Sequence, residues 1–291
     1  MNIVWLKRDL RLRDHAAIQA AIAEGSPFFL LYIFDSDLLD APDSDVRHWR
    51  FIQQSLNDLN QQLQPHTTRV YVVFEKSEIA FQKILQHFEV KHVFSHEETG
   101  NKISFDRDIA IGQMLSTQNV QWHEFQTNGV VRGLKNRDRW DEAWRKFMIQ
   151  PPADFNLGPT NFYAIRDEEW NALFPRKIPA TFHEKATLFQ PGGEMNAWKY
   201  LQTFLQDRHI HYSKSISKPL LSRKACSRLS PYLAYGNLSI RQVYQMTLAL
   251  LGTAKSKKDL YNFLSRLHWH CHFIQKFESE CRIEFENFNR A

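Results

Sequence analysis

In this 291-residue chain, the residues whose types and spacing best suit chemistry lie between Cys226 and Arg241. The run Cys226-Ser227-Arg228-Leu229-Ser230 places two hydroxyls, a guanidinium and free backbone amides where a helix is predicted to start. Such groups together can hold a phosphate. Pro231 suits the first turn of that helix, Gly236 suits its end, and Ser239 suits the cap of the next one. A plain helix–turn–helix whose serines only cap helices is the alternative interpretation.

Basic residues surround this segment. The stretch from Arg208 to Lys276 contains twelve Lys or Arg and one acid, Asp259, whereas the net charge of the whole chain is only +5. Five aromatic residues are interleaved with these cations, namely Tyr212, Tyr232, Tyr235, Phe263 and Trp269. Cations beside aromatic rings suit phosphate contacts and base stacking, which indicates a nucleic acid or a nucleotide as partner. A solvated basic face on helices is the alternative.

Two other groups of side chains could do chemistry, and both have a plainer explanation. In the run from His268 to His272, only the two end histidines share a helix face, whereas structural zinc usually has four ligands. The three cysteines of the chain cannot supply the four ligands of an iron–sulfur cluster. We therefore predict no metal. Glu97 and Glu98 could form an acid–base pair, but adjacent carboxylates after a strand are more typical of a solvated turn.

Short β-rich runs alternate with helical patterns over the first 125 residues. The predicted strands are 2–5, 28–34, 69–74, 91–95 and 121–125, and the predicted helices are 14–24, 46–63, 77–88 and 105–117. This alternation predicts an α/β fold, with a five-stranded, parallel, doubly wound sheet that binds ligands at the carboxyl ends of its strands. No Gly-x-Gly-x-x-Gly or P-loop motif follows the first strand, which excludes a standard dinucleotide or P-loop site there.

The rest of the chain predicts a connector and a second domain. We predict an α/β domain at 1–130, a connector at 131–194 with a helix near 138–148, and an all-helical domain at 195–291, with helices at 197–207, 239–251 and 256–277. With 43% hydrophobic and 24% charged residues, the composition is that of an ordinary globular protein. Its apolar runs are far shorter than the roughly 20 residues of a membrane span. We expect a cytoplasmic protein without a secretory signal.

The motif between Cys226 and Arg241 resembles the flavin-phosphate motif of the DNA photolyase and cryptochrome family. Three further segments are similar to that family and follow in its order. Ile3–His15 resembles its N-terminal strand and Arg-Asp-Leu-Arg signature, and Ser95–Gly100 with Arg107 resembles the region beside its antenna-pigment pocket. Phe263–Trp269 resembles the helix between the flavin and the DNA lesion.

The resemblance implies a helical FAD-binding domain and light-driven repair by a deoxyribodipyrimidine photolyase. Such an enzyme splits pyrimidine dimers by electron transfer from reduced FAD. A cryptochrome-type blue-light receptor and a truncated DNA-binding relative without stable FAD are the alternatives. The family leads us to expect damaged DNA as partner of a monomer that binds no membrane, with FAD as cofactor and room for a second antenna pigment of folate or deazaflavin type.

The resemblance also implies roles for individual residues. The cofactor-binding residues would be Tyr212, Cys226, Ser227, Arg228, Leu229, Ser230, Phe263 and His270. Glu97, Glu98 and Arg107 would border the antenna pigment, and Arg266 and Trp269 would line the cavity that takes the flipped lesion. No catalytic side chain is assigned, because electron transfer needs no general base.

The sequence departs from the family pattern at several positions. Cys226 stands where Thr is usual, Phe263 where Trp is frequent, and His270-Cys271 where an Arg followed by an acid is usual. The chain also ends where family members normally continue. We therefore expect an incomplete FAD domain without the contacts to the isoalloxazine ring.

Overall fold

In the computed structural model of the chain, which describes residues 1–158, 160–185 and 188–289, five strands form one parallel sheet in the order β3-β2-β1-β4-β5. They are β1 (Asn2–Leu6), β2 (Phe28–Phe34), β3 (Val70–Phe74), β4 (His92–His96) and β5 (Gln121–Phe125). All seven residues of β2 are buried. Parallel sheets are covered on both faces, which favours such continuous apolar runs. The predicted α/β class and the five predicted strands are confirmed.

Thirteen α-helices lie within the described residues. The first seven are α1 (Ala16–Glu24), α2 (Ser36–Leu39), α3 (Val46–Leu63), α4 (Ser77–His87), α5 (Lys102–Thr117), α6 (Trp140–Ile149) and α7 (Asp167–Leu173). The other six are α8 (Glu194–Thr203), α9 (Tyr212–Ser215), α10 (Pro219–Ala225), α11 (Ser230–Ala234), α12 (Ile240–Leu250) and α13 (Lys257–Ser279). A π-helical turn, Phe204–Arg208, follows α8, and short 3-10 turns occupy Gln64–His66, Ala180–His183 and Cys281–Glu284. None of the described helices is long and apolar enough to cross a membrane.

The chain divides into two compact units. Unit 1 comprises 1–125 and 153–194, and unit 2 comprises 126–152 and 195–291, of which residues 290 and 291 lie outside the described ranges. The segment predicted as a connector is therefore shared, because its part up to residue 152 clusters with unit 2 and its remainder with unit 1. The helix predicted at 138–148 forms as α6.

The core of unit 1 lies between the sheet and the helices that cover it. On one face, Trp5 and Phe29 pack with Phe81 of α4 and Ile111 of α5 in a single apolar cluster. The rings of Trp5 and Phe81 meet edge to face at 4.9 Å. Helices α1 and α3 contact strands of the same sheet. Burying each large apolar side chain contributes roughly 1.5–3 kcal/mol, so this packing fixes the position of the strand ends.

Strand β1 lies between β2 and β4, which makes its carboxyl end the switch point of the sheet. Ligands of open parallel sheets bind at such points. The loop after β1 and the end of β4 carry Asp9 and His96 into this region. Helix α1 begins at Ala16 and not at the predicted residue 14, because Nδ1 of His15 accepts the N–H of Ile18 and caps the helix.

Unit 2 is helical. Helix α13 buries Leu260, Phe263, Leu264, Leu267 and Cys271, which recur at helical spacing. The ring of Phe263 meets that of Phe204 at 4.6 Å. Helix α12 begins with a capping box, in which Ser239 and Gln242 satisfy one another's backbone amides.

Candidate functional site

Residues 226–229 form an irregular loop between α10 and α11. Arg228 has a φ of 59°, a left-handed conformation that is uncommon for a residue with a side chain. Leu229 is buried, Ser227 is half-buried and Ser230 is exposed. Neither serine hydroxyl has a hydrogen-bond partner among the described residues, so both can serve a ligand.

The elements around this loop follow the sequence prediction. Pro231 lies in the first turn of α11, Gly236 ends that segment with a φ of 67°, and Ser239 caps α12. Glycine adopts such positive φ values without a steric penalty, which explains why it follows the helix. The helix ends predicted at these positions are therefore confirmed. The loop before α11 and the first residue of α11 carry the hydroxyls of Ser227 and Ser230, which these helices do not use.

Arg208 supports the loop from the side of α8. Its Nη2 donates to the carbonyl oxygen of Tyr200 at 2.6 Å, to Oγ1 of Thr203 at 3.1 Å and to the carbonyl oxygen of Ser227 at 3.4 Å. Its Nη1 donates to the carbonyl oxygen of Cys226. One planar guanidinium thus connects the end of α8 to the loop at 226–229.

The charge of Arg208 is not balanced by a carboxylate. Within the described part of the chain, its hydrogen bonds all go to oxygens of neutral groups. Burial lowers the pKa of Arg208, and the neighbouring Arg228 lowers it further. Guanidinium groups remain protonated even so. The loop therefore lies in a positive field that an anion would relieve.

Tyr212, the first residue of α9, is the next of the predicted cofactor residues. Its side chain is buried, and its ring meets that of Phe263 at 5.7 Å, nearly edge to face. Burial is the main cause that raises the pKa of Tyr212 to about 12, and both Cys226 and Arg266 lie close enough to influence it. Burial likewise raises the pKa of the Cys226 thiol, so Cys226 offers a neutral group there.

Asp259, the single acid of the basic stretch, holds the turn that carries Tyr212. Its carboxylate accepts the backbone N–H of Ser213 at 2.7 Å, the N–H of His211 at 3.2 Å and the hydroxyl of Ser256 at 2.6 Å. Burial alone would raise the pKa of Asp259, but these hydrogen bonds lower it to about 2. A charged Asp259 therefore fixes α9 against the start of α13.

Helix α13 carries the remaining predicted residues. Phe263, Arg266 and His270 follow one another at spacings of three and four and share one side of the helix. His270 is half-buried, and burial lowers its pKa. Trp269 lies further around the circumference of α13 than these three residues and is 46% exposed. The guanidinium of Arg266 lies 5.8 Å from the centre of the Trp269 ring. Phe263 thus faces Tyr212 while Trp269 faces solvent.

The residues predicted beside an antenna pigment lie in unit 1. Arg107 and Glu98 are both buried and form an ion pair at 3.2 Å. Arg107 also pairs with Asp108 at 2.7 Å and lies over the ring of Trp5 at 4.9 Å. Glu97 is half-buried, and its N–H extends the pairing of β4 with β5. Glu98 and Arg107 thus balance one another's charge inside the protein, and Asp108 is a second partner of Arg107.

Asp9, His15 and His96 form a buried cluster at the switch point of the sheet. Oδ2 of Asp9 lies 2.7 Å from Nδ1 of His96 and 3.1 Å from Nε2 of His15. Oδ1 of Asp9 accepts the N–H of Lys7 at 2.7 Å. Burial would raise the pKa of Asp9, but the two histidines lower it well below its usual value.

Three such side chains could in principle hold a metal ion. His15 argues against it, because its Nδ1 accepts the N–H of Ile18 at 3.2 Å. A neutral imidazole then carries its proton on Nε2, which is the nitrogen that would have to bind the metal. The geometry favours a carboxylate that His96 contacts at 2.7 Å, with His15 beside it at 3.1 Å. At the His268–His272 run, no group of three metal-ligating side chains forms among the described residues.

We expect the stability of unit 1 to fall as the pH decreases from about 6.5 to about 4. Burial, with a smaller effect of His15, lowers the pKa of His96 from 6.5 to about 4. Over this range the unfolded chain binds a proton at His96 that the folded chain does not bind, which costs about 3 kcal/mol in total. Urea unfolding at several pH values measures this slope. His96→Gln, which keeps a donor for Asp9, should flatten the slope, whereas the exposed His183→Gln should leave it unchanged. An identical slope in both variants would contradict the assignment.

Sequence reasoning missed Arg208 and Asp259 as parts of the site. Arg208 is only the first cation of a long basic stretch, and its contacts depend on the π-helical turn that precedes it. Asp259 stood out as the single acid among twelve cations, which is a signal for a structural anchor. The cluster of Asp9 with His96 joins residues 87 positions apart, and no local pattern marks it.

The chain is similar to known photolyases and cryptochromes. A family model described as DNA photolyase matches residues 2–137. The deoxyribodipyrimidine photo-lyase of Alkalihalophilus pseudofirmus is 26% identical over 306 residues, which covers 97% of this chain and 60% of the relative. Cryptochrome-2 of Arabidopsis thaliana is 26% identical over 267 residues, which covers 84% of this chain and 42% of the relative. The chain thus spans 60% or less of the length of these two curated relatives.

Solved structures show the same fold. An archaeal photolyase from Sulfolobus tokodaii, crystallised with two FAD molecules, matches with a TM-score of 0.75 at 19% identity, over 100% of this chain and 62% of that one. A bacterial class III photolyase from Agrobacterium tumefaciens matches with a TM-score of 0.73 at 20% identity, over 99% and 61% of the two chains.

Proposed function

We propose that this chain, which belongs to the DNA photolyase and cryptochrome family, acts as a flavin-dependent photolyase that splits pyrimidine dimers in DNA. One observation carries the proposal: the hydroxyls of Ser227 and Ser230 are unused within the described residues, and Arg208, a cation without a carboxylate partner among those residues, bonds to the loop at 226–229. These groups suit a phosphate, and FAD carries two. The basic stretch around the loop suits DNA.

The residues present fit the phosphate-bearing part of FAD. The hydroxyls of Ser227 and Ser230 would donate to phosphate oxygens, and Arg208 and Arg228 would supply the positive field. Tyr212 and Phe263 would form an apolar wall that excludes water. When bound and reduced, FAD supplies the electron that starts dimer splitting in light. His270 and Leu229 would be further neighbours of the cofactor. A folate or deazaflavin antenna pigment beside Glu97 stays a prediction.

The lesion would meet α13. A dimer flipped out of the duplex exposes the faces of its pyrimidine rings, against which Trp269 can pack while Arg266 contacts a neighbouring phosphate or carbonyl. Trp269 is 46% exposed, so its ring is available for this contact. The protein's own task is thus to hold and orient the lesion and the cofactor. The electron transfer itself requires no proton at a protein atom.

We expect Ser227→Ala to weaken FAD binding about tenfold, because one charge-assisted hydrogen bond to a phosphate contributes roughly 1.5 kcal/mol or more. A titration of the purified chain with FAD, followed by flavin fluorescence, measures this. Ser222→Ala is the matched control, since Ser222 lies on α10 and bonds to the carbonyl oxygen of Pro219. An equal effect of both substitutions would refute the assignment.

The activity is tested by visible absorption and by repair. The purified chain with FAD that has been reduced chemically under anaerobic conditions is illuminated with blue light in the presence of an oligonucleotide that contains a cyclobutane dimer, and dimer loss is measured against a dark control. Bound, reduced FAD without light-dependent dimer loss would sink the photolyase proposal. A parallel assay with a (6-4) product identifies the lesion class. Light scattering tests the proposed monomer, and cell fractionation tests the proposed cytoplasmic location.

Two alternatives have their own support. A cryptochrome-type receptor is favoured by the plant cryptochrome, which matches at the same 26% identity as the photo-lyase. Bound flavin without repair, together with a light-dependent change in partner binding, would support it. A DNA-binding relative without stable FAD is favoured by the basic stretch from Arg208 to Lys276, which suits DNA whether or not FAD is bound. A colourless protein with salt-dependent DNA affinity would support that reading.

A further inference from the structure

Arg208 contacts the first two residues of the loop at 226–229, Cys226 and Ser227, although no sequence motif includes it. It lies at the end of the π-helical turn Phe204–Arg208, and such turns often occur at functional sites. The extra residue of a π-turn changes the direction of the side chains that follow. Arg208 thereby reaches the carbonyl oxygens of Cys226 and Ser227 as well as that of Tyr200.

We propose that Arg208 is the positioning residue of this loop and that it makes the site selective for nucleotides with a diphosphate over the corresponding nucleoside. The inference rests on the proposed FAD site and deepens it. Arg208 acts on the ligand through the loop, because its donors are occupied by backbone and hydroxyl oxygens. Its charge acts directly through space.

The geometry explains why an arginine is required. Five N–H donors in one plane let a single side chain bind oxygens of two segments at once. A lysine at the same position keeps the charge, but its single ammonium cannot hold the Cys226 and Ser227 carbonyls together with that of Tyr200. The loop would then lose the support that keeps Arg228 in its left-handed conformation, with a φ of 59°. The hydroxyls of Ser227 and Ser230 would diverge.

The charge explains why the ligand is an anion. A partly buried cation without a carboxylate partner is unfavourable, and a phosphate beside it relieves that cost. Burial and Arg228 both lower the pKa of Arg208, which is the signature of such an unbalanced position. A nucleoside brings no charge and gains nothing from this field. A diphosphate gains from both the field and the ordered loop.

The experiment compares ADP with adenosine, which differ only in the diphosphate. Calorimetric titration of the full chain should give at least about tenfold tighter binding of ADP. Arg208→Lys keeps the charge but not the planar contacts, so it should reduce this ratio in part, weaken FAD binding by a similar factor and leave adenosine binding unchanged. Arg223→Lys is the matched control, because Arg223 is an exposed cation on α10. Thermal unfolding of each variant checks that the fold is kept.

The outcomes separate this inference from the proposed function. If the chain binds FAD and Arg208→Lys keeps the wild-type preference for ADP, or keeps wild-type FAD affinity, the inference is overturned and the function stands. An equal loss of ADP and adenosine binding, with a lowered melting temperature, would also overturn it, because it would indicate a purely structural role. A wild-type chain that binds neither FAD nor ADP would overturn both.

Discussion

Replacing Asp9 by Leu is expected to lower the free energy of unfolding of unit 1 by roughly 3 kcal/mol or more. Leu has a similar size but no acceptor. The substitution leaves the N–H of Lys7 and Nδ1 of His96 without the oxygen that each now contacts at 2.7 Å. A buried donor without an acceptor costs roughly 1–3 kcal/mol, and the site is too buried for water to replace the carboxylate.

A graded series identifies the cause. Asp9→Asn keeps one acceptor and should cost about half as much as Asp9→Leu, because the contact with the N–H of Lys7 can persist. Asp43→Leu is the control, since Asp43 is exposed and lies in the same unit. Urea unfolding followed by circular dichroism measures all three. If Asp9→Leu were as stable as the control, the cluster would contribute nothing to unit 1.

The fold of unit 1 could be predicted because its signals are local. The strand Phe28–Phe34 is a continuous apolar run, and a run of that kind needs no distant information to form a buried parallel strand. The contact of Asp9 with His96 could not be predicted in the same way. It depends on β1 and β4 being neighbours with Val4 opposite Phe94, and that register is set by the whole sheet.

The candidate site shows the same division. Pro231, Gly236 and Ser239 mark helix ends through their own conformational preferences, and the structure confirms each of them. Arg208 acts through a π-helical turn, which has no strong sequence signature. His211 precedes Tyr212 in a left-handed conformation with a φ of 77°. The N–H groups of His211 and Ser213 both donate to Asp259, and these long-range hydrogen bonds explain why the chain turns there.

Replacing Trp269 by Ala is expected to weaken binding of dimer-containing DNA by about 5- to 150-fold and to leave binding of undamaged duplex almost unchanged. Stacking of a base on an aromatic side chain contributes roughly 1–3 kcal/mol, which corresponds to that range. Undamaged duplex is held mainly by lysines and arginines at its phosphates, and this substitution removes none of them. Fluorescence anisotropy with matched damaged and undamaged oligonucleotides, at one fixed salt concentration, measures the difference.

Tyr261→Ala is the matched control. Tyr261 is another exposed aromatic residue of α13, but it lies two turns from Trp269 and away from Arg266. Trp269→Phe should restore much of the preference for damaged DNA, because an aromatic plane remains. An equal loss of affinity for both DNAs in Trp269→Ala would contradict the stacking role.

Salt dependence separates stacking from charge on the same helix face. Trp269→Ala should leave the slope of log affinity against log salt unchanged, since no phosphate contact is lost. Arg266→Gln should reduce that slope by about 1 if Arg266 contacts a phosphate, and should weaken both DNAs alike. Arg266 lies 5.8 Å from the Trp269 ring, so a loss of lesion preference in Arg266→Gln with an unchanged slope would instead mean that Arg266 orients the ring. The two substitutions together decide whether this face of α13 recognises the shape of the lesion or only the charge of the DNA.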